Sequence, residues 1–301
     1  MSGYDSVLLP GDHFAGYLVD LELGRGGMGR VYRATREADG AEVALKLLPP
    51  ELAGEDRYRR RFARESRLAA SLSHPHLVPV LDSGEHEGAL WIAMQLIDGR
   101  DLGAVLTEQG TIHPANAARI VAQVGGGLDA AAGEGLVHRD VKPANVFVVA
   151  RDGHPHAYLG DFGLSKATDS QSGLTATGKF LGTVAYAAPE QAQGEPVGPA
   201  TDVYQLGGLL YRALSGSQPF PRPRQIATVM AHIKDPPPRP SEAEPACPKA
   251  FDRVVATAMA KKPGDRYPTA SALGEAALAA AEGAGPPPGW PEAGTFDPVP
   301  D

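Results

Sequence analysis

Residues 24–31 read Gly-Arg-Gly-Gly-Met-Gly-Arg-Val, a G-x-G-x-x-G-x-V run. Glycines let a backbone approach a phosphate closely and present N–H groups to it. The run alone also fits a dinucleotide-binding turn or an ordinary glycine-rich hairpin. A dinucleotide turn opens a helix, whereas residues 30–34 after this run have the pattern of a strand. The context therefore favours a glycine loop that covers ATP.

Lys46 and Glu65 are two charged residues that the sequence predicts beside apolar neighbours. Lys46 ends the strand-like run Val-Ala-Leu-Lys, and a lysine in such a run costs free energy unless its charge is met. Glu65 lies three residues after Phe62 and four before Ala69, so it points toward the core side of a helix predicted over residues 55–73. We therefore expect Glu65 to pair with Lys46 while phosphate takes the remaining donors. The alternative is an exposed strand lysine.

The elements around these residues change in type along the chain. Strand-like segments dominate residues 14–96 apart from the one helix, and the pattern beyond residue 99 is mostly helical. This order predicts an α+β, bilobal architecture: a small antiparallel β lobe with one key helix (residues 14–97) and a larger, mainly helical lobe (residues 98–282). Residues 1–13 are interpreted as an N-terminal leader. The Pro- and Gly-rich residues 283–301 are interpreted as a disordered or extended tail, and a passive linker is favoured over a partner-binding segment.

Composition limits the classes of partner. The 301 residues carry a formal net charge of −8, which argues against nucleic-acid binding. The single cysteine, Cys247, excludes an intrachain disulfide and fits a reducing compartment. Neither a signal peptide nor an apolar run long enough for a membrane span is visible, so we expect a cytoplasmic location. One basic cluster, on the predicted helix, is either a solvated face or a surface that docks an anion: Arg57, Arg59, Arg60, Arg61, Arg64 and Arg67.

Three further motifs follow the glycine run and the lysine strand. They are His-Arg-Asp-Val-Lys-Pro-Ala-Asn at residues 138–145, Gly-Asp-Phe-Gly at 160–163 and Ala-Pro-Glu at 188–190. All five match the protein-kinase signature set in order and spacing. The chain resembles the bacterial Hanks-type serine/threonine protein kinases over residues 14–281. The catalytic motif and Thr-Asp-Val-Tyr at 201–204 are similar to actinobacterial members, including the catalytic domains of receptor kinases with PASTA repeats.

The resemblance implies a bilobal protein-kinase fold and transfer of the γ-phosphoryl group of ATP to serine or threonine hydroxyls of protein substrates. Asp140 would accept the proton of the substrate hydroxyl, and Lys142 would reach the transferring group and mark the serine/threonine class. Asn145 and Asp161 would bind Mg²⁺, with Mn²⁺ as a substitute. Thr183 would support Asp140 and Lys142 and face the substrate.

The resemblance also implies a nucleotide site and its supports. The nucleotide-binding residues would be Leu23, Gly24, Arg25, Gly26, Gly27, Met28, Gly29, Val31, Ala44, Lys46, Met94, Gln95, Ile97 and Phe147. Met94 matches the gatekeeper position, and the backbone of Gln95 and Ile97 would bind the adenine edge. His138 is expected to pack below the site and not to act as the base. Glu190 is expected to pair with Arg266, and Asp202 to hold the backbone of the catalytic loop.

Regulation is expected in the hydroxyl-rich segment between Asp161 and Glu190. Thr175 and Thr177 fall at the spacing where similar bacterial kinases autophosphorylate. A phosphate adds about −1.5 to −2 charges and can order a loop by pairing with an arginine, for which Arg139 is the natural candidate. The chain would then be its own substrate in trans, within a transient homodimer.

Two alternatives from other classes stay open. A pseudokinase would use the same fold as a nucleotide-binding or interaction scaffold, but such proteins usually lack one of the groups that this chain retains, namely Lys46, Asp140, Asn145 or Asp161. A small-molecule phosphotransferase with a kinase-like fold would lack the long hydroxyl-rich segment that ends in Ala-Pro-Glu. Glycines 125–127 depart from a good helix sequence and predict a weakened helix before the catalytic loop.

Overall fold

The computed structural model describes residues 7–26, 29–49, 53–54, 56–162 and 184–291. These residues fall into two units. Unit 1 contains the described residues of 1–74 and 78–97, and unit 2 contains residues 75–77, 98–162 and 184–291. The main change of unit therefore lies between Ile97 and Asp98.

Unit 1 is built on a six-stranded antiparallel sheet with the order β1-β2-β3-β4-β6-β5. The strands are β1 His13–Phe14, β2 Tyr17–Gly26, β3 Gly29–Arg36, β4 Glu42–Leu47, β5 Val80–His86 and β6 Ala89–Gln95. Their inward side chains, among them Phe14, Tyr32 and Leu45, are almost completely buried. This sheet gives unit 1 the antiparallel β character that the sequence predicts.

The N-terminal segment contributes to this core. Leu8 is 5% exposed and belongs to the same apolar cluster as Phe14 and Tyr32. Its backbone N–H donates to the Tyr32 hydroxyl at 3.3 Å. The leader expected over residues 1–13 is therefore part of unit 1 from Val7 onward, because Leu8 buries an apolar side chain there.

Helix α1, Asp56–Ser71, is the one long helix that the structure describes in unit 1. Asp56 lies in its first turn, where a carboxylate interacts favourably with the helix dipole. Its buried face carries Tyr58, Phe62, Ser66 and Ala69 at helical spacing. The sequence predicts this helix over residues 55–73, so the observed helix is slightly shorter at its C-terminal end.

Unit 2 is mainly helical. Its helices are α2 Leu102–Gln109, α3 Pro114–Gly133, α4 Pro189–Gln193, α5 Pro199–Ser215, α6 Gln225–Lys234, α7 Pro240–Ala243, α8 Ala250–Ala258 and α9 Ala270–Ala281. Proline occupies the first position of several of them, where its missing N–H is not needed. Helix α5 is buried on nearly all sides, which fits its apolar sequence. These helices agree with the α+β prediction.

Glycines at the interface of α3 and α9 let the two helices approach closely. A Cβ on Gly125 would lie 2.6 Å from the carbonyl oxygen of Ala270, and a Cβ on Gly274 would lie 2.6 Å from the Cα of Ala122. Gly125 therefore does not only weaken α3, as the sequence analysis expects of glycines 125–127. It also makes room for the neighbouring helix.

A small three-stranded sheet in unit 2 carries the end of the catalytic loop. Its strands, in the order β7-β8-β9, are Arg100–Asp101, Val146–Arg151 and His154–Leu159. Asp152 and Gly153 join β8 to β9 with φ of 53° and 72°, as in a type I′ turn. The sequence analysis describes the region beyond residue 99 as mostly helical and does not identify this hairpin, although Asp-Gly between apolar residues is a strong hairpin signal.

Residues 75–77 belong to unit 2, although they lie within the predicted small lobe. The N–H of Leu159 donates to the carbonyl of His76 at 2.9 Å, and Leu77 forms a parallel bridge with Leu159. The His76 ring also contacts the carbonyl oxygen of Ala157 at 3.0 Å. Main-chain pairing with β9 explains the assignment of this short segment.

The C-terminal segment, interpreted from the sequence as a disordered or extended tail from residue 283 onward, has no helix or strand over residues 285–291 but packs on the rest of unit 2. Trp290 is 6% exposed, and its N–H donates to the carbonyl of Gly153 at 2.9 Å. The amide of Asn116 donates to the carbonyl of Pro288 at 3.4 Å. Burial of a large indole stabilises this segment despite its Pro and Gly content. Residues 292–301 lie outside the described residues.

Candidate active site

The glycine run lies at the β2–β3 end of the sheet in unit 1. The strands pair Gly24 with Val31, Arg25 with Arg30 and Gly26 with Gly29. Gly29 has a φ of 113°, and a Cβ there would lie 1.9 Å from the carbonyl oxygen of Leu47. Gly29 is therefore required by the fold itself.

Two other glycines of the run have open space around them. A Cβ on Gly24 or Gly26 would meet no atom within 4 Å. Leu23, next to Gly24, is 48% exposed. Glycine at these two positions is not required by packing within the described residues, which leaves their backbone accessible. Gly27 and Met28 lie outside the described residues.

Lys46 lies on a central strand of the same sheet. On β4 it pairs with Val31 of β3 and with Ile92 of β6, and it is 5% exposed. Ala44, two residues earlier, pairs with Met94 of β6. The strand register thus places Lys46, the predicted phosphate-binding residue, on the strand between those of Val31 and Met94, which are two of the predicted nucleotide-binding residues.

Glu65 lies on α1, where its side chain is 14% exposed and accepts a hydrogen bond from Arg61 Nε at 3.0 Å. Arg59 of the same basic cluster pairs with Glu85 at 3.2 Å. Arg57, Arg60, Arg64 and Arg67 of the cluster are exposed. The pairing of Glu65 with Lys46 stays a prediction.

The backbone N–H of Gln95, the residue after Met94, is already hydrogen-bonded within unit 1. Met94 is buried, and the N–H of Gln95 donates to the carbonyl of Pro79 at 2.9 Å. Any main-chain contact of Gln95 with an adenine edge must therefore come from its carbonyl group. Ile97 is half-buried.

Asp140 is the centre of the catalytic loop, residues 138–145, in unit 2. It is 3% exposed, and its Oδ2 accepts a hydrogen bond from Lys142 Nζ at 2.9 Å. Asn145 donates its amide to the same oxygen at 3.3 Å and to the carbonyl of Asp140 at 2.8 Å. A short 3₁₀ turn over Pro143–Asn145 brings Asn145 back toward Asp140. The carboxylate is therefore held by two neighbouring side chains.

Both ring nitrogens of His138 form hydrogen bonds with main-chain groups. It is completely buried, its Nδ1 accepts the N–H of Asp140 at 3.2 Å, and its Nε2 donates to the carbonyl of Gly160 at 2.9 Å. These two bonds require the neutral ring with the proton on Nε2. Both nitrogens serve the backbone, which argues against His138 as a general base.

Asp202 on α5 binds the backbone of the same loop. Its two carboxylate oxygens accept the N–H groups of His138 and Arg139 at 2.8 and 2.7 Å. Burial raises the pKa of Asp202 to about 8, and the hydrogen bond from His138 opposes this effect. The expected contact of Asp202 with the catalytic loop is present.

Glu190 and Arg266 form the ion pair that the sequence analysis expects. Arg266 Nη1 and Nη2 lie 2.7 and 2.8 Å from the two carboxylate oxygens of Glu190, and both side chains are buried. The other N–H groups of Arg266 donate to the carbonyls of Ala200, Ala260 and Lys261. Burial raises the pKa of Glu190, but the hydrogen bond and charge of Arg266 outweigh it, so this pKa is lowered.

Comparison with known proteins identifies this constellation. The protein kinase domain family matches residues 17–276. The chain belongs to the protein kinase family.

The similar curated proteins are serine/threonine kinases. The chain is 44% identical over 270 residues to serine/threonine-protein kinase PknE and 42% identical over 272 residues to PknH, both of Mycobacterium bovis. These matches cover 90% of the chain but 47% and 44% of the relatives, so the chain spans about half their length. The crystal structure of the PknI kinase domain of Mycobacterium tuberculosis is similar with a TM-score of 0.73 and 34% identity, covering 91% of this chain and all of that one.

These findings confirm the predicted family of serine/threonine protein kinases and the bilobal protein-kinase fold. Protein kinases as a family use ATP and a divalent metal ion, and they act on protein substrates. None of the helices in the described part of this kinase combines the length and apolarity that a bilayer crossing requires.

The donor atoms near Asp140 fit a divalent cation. Asn145 donates both hydrogen bonds to Asp140 through its amide nitrogen, which leaves its amide oxygen as the ligand atom. The N–H of Gly160 donates to the carbonyl of Asn145 at 2.9 Å. Asp161 is the next residue after Gly160, so this main-chain hydrogen bond connects the segment of Asp161 to Asn145. The described residues contain no group of three His, Cys, Asp or Glu side chains that could hold a metal. A cation here would therefore depend on phosphate oxygens and water, as Mg²⁺ commonly does.

Two glutamines of this kinase were missed by the sequence analysis. Gln191 on α4 and Gln205 on α5 both donate to the carbonyl of Arg139, at 2.9 and 3.2 Å. A signal was available, because Gln205 lies three residues after Asp202 in an otherwise apolar helix. A polar side chain at that spacing shares the face of Asp202.

The short turn Val184–Tyr186 is held by a buried histidine. His232 on α6 contacts the carbonyl of Ala185 through Nε2 at 3.0 Å and the Tyr204 hydroxyl through Nδ1 at 2.9 Å. Burial lowers the pKa of His232 to about 4, which keeps the ring neutral near pH 7. This turn adjoins Thr183, which, with Thr175 and Thr177, lies outside the described residues.

Proposed function

We propose that this chain transfers the γ-phosphoryl group of ATP to serine and threonine hydroxyls of proteins, including its own activation segment. The observation that carries the proposal is the Asp140 carboxylate, which Lys142 and Asn145 hold on a loop whose backbone is bound by Asp202. A scaffold without catalysis would not need a buried carboxylate held in this way.

Asp140 is the group that acts on the hydroxyl substrate. Its carboxylate accepts the proton of the hydroxyl while the hydroxyl oxygen bonds to the γ-phosphorus. The bond from that phosphorus to the β,γ-bridging oxygen breaks, and ADP leaves with the electron pair. Lys142, 2.9 Å from Asp140 Oδ2, supplies a positive charge for the transferring group. General-base assistance of this kind is worth about 10²–10⁴-fold.

Unit 1 supplies the groups for binding ATP. The backbone around Gly24 and Gly26 approaches the phosphates, and Lys46 pairs with phosphate oxygens and with Glu65. Leu23, Val31, Ala44 and Met94 contact the adenine, with the carbonyl of Gln95 and the backbone of Ile97 at its edge. Phe147 on β8 is a further nucleotide-binding residue that the family resemblance implies. The open space around Gly24 and Gly26 and the exposure of Leu23 support this assignment.

Asn145 and Asp161 bind the metal ion in this proposal, and Mg²⁺ is the ion that their hard oxygen atoms fit, with Mn²⁺ as a substitute. The ion would neutralise charge on the phosphates during transfer. The two residues share a main-chain link through Gly160, which fixes one relative to the other.

The proposal also covers the two lobes, regulation by phosphorylation and the location of the kinase in the cell. Residues 14–97 and 98–282 act as the two lobes of the kinase. Phosphorylation of Thr175 or Thr177 raises activity by giving Arg139 a phosphate partner, and it occurs in trans between two copies. Thr183 supports Asp140 and Lys142 and faces the substrate. A cytoplasmic location supplies the ATP that the reaction consumes.

The proposal is tested by following label from γ-labelled ATP into casein, a generic protein substrate, in the presence of Mg²⁺. We expect labelled phosphoserine and phosphothreonine with the unaltered chain. Asp140→Asn should lower the rate by at least 10²-fold, because it removes the base while keeping the size of the side chain.

Asp152→Asn is the matched control. It makes the same chemical change at an exposed hairpin position with positive φ, a conformation that asparagine tolerates. It should label casein at the unaltered rate. Absence of labelling by the folded chain would favour a pseudokinase, and equal rates for the two variants would remove Asp140 from the mechanism.

A further inference from the structure

Gln205 binds the backbone on both sides of Asp140. It is 2% exposed on helix α5. Its Oε1 accepts the N–H of Val141 at 2.9 Å, and its Nε2 donates to the carbonyl of Arg139 at 3.2 Å. One side-chain amide thus satisfies the acceptor just before Asp140 and the donor just after it.

Gln191 completes this arrangement from helix α4. Its Nε2 donates to the carbonyl of Arg139 at 2.9 Å, and its Oε1 accepts Gln205 Nε2 at 2.9 Å and the N–H of Ala188 at 3.0 Å. The glutamine pair, Gln191 and Gln205, therefore connects the catalytic loop to the Ala-Pro-Glu segment. Both side chains use the donor and the acceptor atoms that an amide provides together.

The backbone at this place needs such support. Arg139 has a φ of 66°, a left-handed conformation that costs a non-glycine residue about 1–3 kcal/mol and persists only where its surroundings enforce it. Asp202 binds the N–H of Arg139, and the glutamine pair binds its carbonyl. Asp140 follows directly, so its position depends on these bonds.

We propose that Gln205, assisted by Gln191, is a positioning residue that fixes the Asp140 carboxylate for phosphoryl transfer. The proposal rests on the function proposed above, in which Asp140 is the base. An apolar side chain at position 205 would leave the N–H of Val141 without its partner in a buried site and would loosen the loop at Asp140. A displacement of about 1 Å at a reacting group can cost about 10²-fold in rate.

The test compares Gln205→Leu with Gln123→Leu. Gln123 on α3 makes the same kind of contact elsewhere in unit 2, because its amide donates to the carbonyl of Pro155 and accepts the N–H of Ala157. Both variants remove one bidentate amide at nearly constant volume. We expect Gln205→Leu to lower kcat by about 10- to 100-fold with the KM for ATP unchanged within about twofold. Gln123→Leu should leave kcat unchanged.

Amide hydrogen exchange of a peptide covering residues 138–142 gives a readout that does not require activity. Exchange should become faster in Gln205→Leu and stay unchanged in Gln123→Leu, because only the first variant frees the N–H of Val141. This measurement separates the two proposals. If the unaltered, folded chain shows no transfer activity, the proposed function is wrong. Faster exchange in Gln205→Leu would even then support the role of Gln205 in holding the loop.

Three results would overturn the proposal: an unchanged kcat in folded Gln205→Leu, a parallel rise in the KM for ATP, or an equal loss of kcat in Gln123→Leu. Should Gln205→Leu not fold, Gln191→Leu takes its place, with Gln193→Leu at an exposed position of α4 as its control. Full kcat in Gln191→Leu would then contradict the proposal, and a selective loss of kcat would support it.

Discussion

At the scale of residues, the sequence identifies the groups that can do chemistry because their types and spacing are specific. Asp140, Lys142 and Asn145 lie within six positions, and the structure holds them together through one carboxylate oxygen. Motifs do not identify Gln205, because a lone glutamine in an apolar helix belongs to none, and its spacing of three residues from Asp202 indicates only that the two side chains share a face. Its role depends on which backbone groups lie opposite it in the folded chain.

The ion pair of Glu190 and Arg266 gives a prediction at this scale. Arg266→Ala should lower the free energy of unfolding by about 3–5 kcal/mol, because it leaves the Glu190 carboxylate buried without its charged partner. Chemical denaturation followed by circular dichroism measures this change. Arg253→Ala, at an exposed position of α8, is the control and should change stability by less than about 0.5 kcal/mol.

A loss in Arg266→Ala no larger than that in Arg253→Ala would contradict the assigned role. Arg266→Lys should also destabilise the fold, since lysine keeps the charge but cannot form the two parallel bonds to Glu190.

At the scale of elements, periodicity predicts the long helices well and the close contacts between them poorly. Helix α1 is predicted over residues 55–73 and observed over Asp56–Ser71. Helix α3, Pro114–Gly133, lies in the mostly helical pattern predicted beyond residue 99. The glycines within it lower helix propensity, which the sequence shows, and they admit α9, which only the packed structure shows. The β8–β9 hairpin was missed because its helical surroundings outweighed the Asp-Gly turn signal.

Gly125→Ala tests the packing role of these glycines. Helix propensity alone would raise the free energy of unfolding by about 1 kcal/mol. A Cβ at this position would lie 2.6 Å from the carbonyl oxygen of Ala270, and overpacking of this kind costs about 1–3 kcal/mol. Because the contact is with rigid backbone, we expect net destabilisation in thermal or urea unfolding.

Gly133→Ala is the matched control for this change. Gly133 lies at the end of the same helix, and a Cβ there would meet no atom within 4 Å. It should raise stability by about 0.5–1 kcal/mol. Stabilisation by both substitutions would contradict close helix packing at Gly125.

At the scale of the whole molecule, composition and pattern predict the α+β class and the order of the two units. They predict the ends of the domain less well. Leu8 and Trp290 are buried although both lie in segments interpreted as a leader and a tail. Val7–Leu9 and Trp290 are too few apolar residues to show a periodicity, so the burial of Leu8 and Trp290 depends on contacts that the sequence does not display.

The central claim is that this chain moves phosphate from ATP to serine and threonine hydroxyls by means of Asp140. The most direct test is the intact mass of the chain and a map of its phosphopeptides after incubation with Mg²⁺ and ATP. The account predicts added phosphate on serine or threonine, with Thr175 or Thr177 among the sites, and none in Asp140→Asn. An unchanged mass of the folded chain, or equal phosphate on the two proteins, would contradict it.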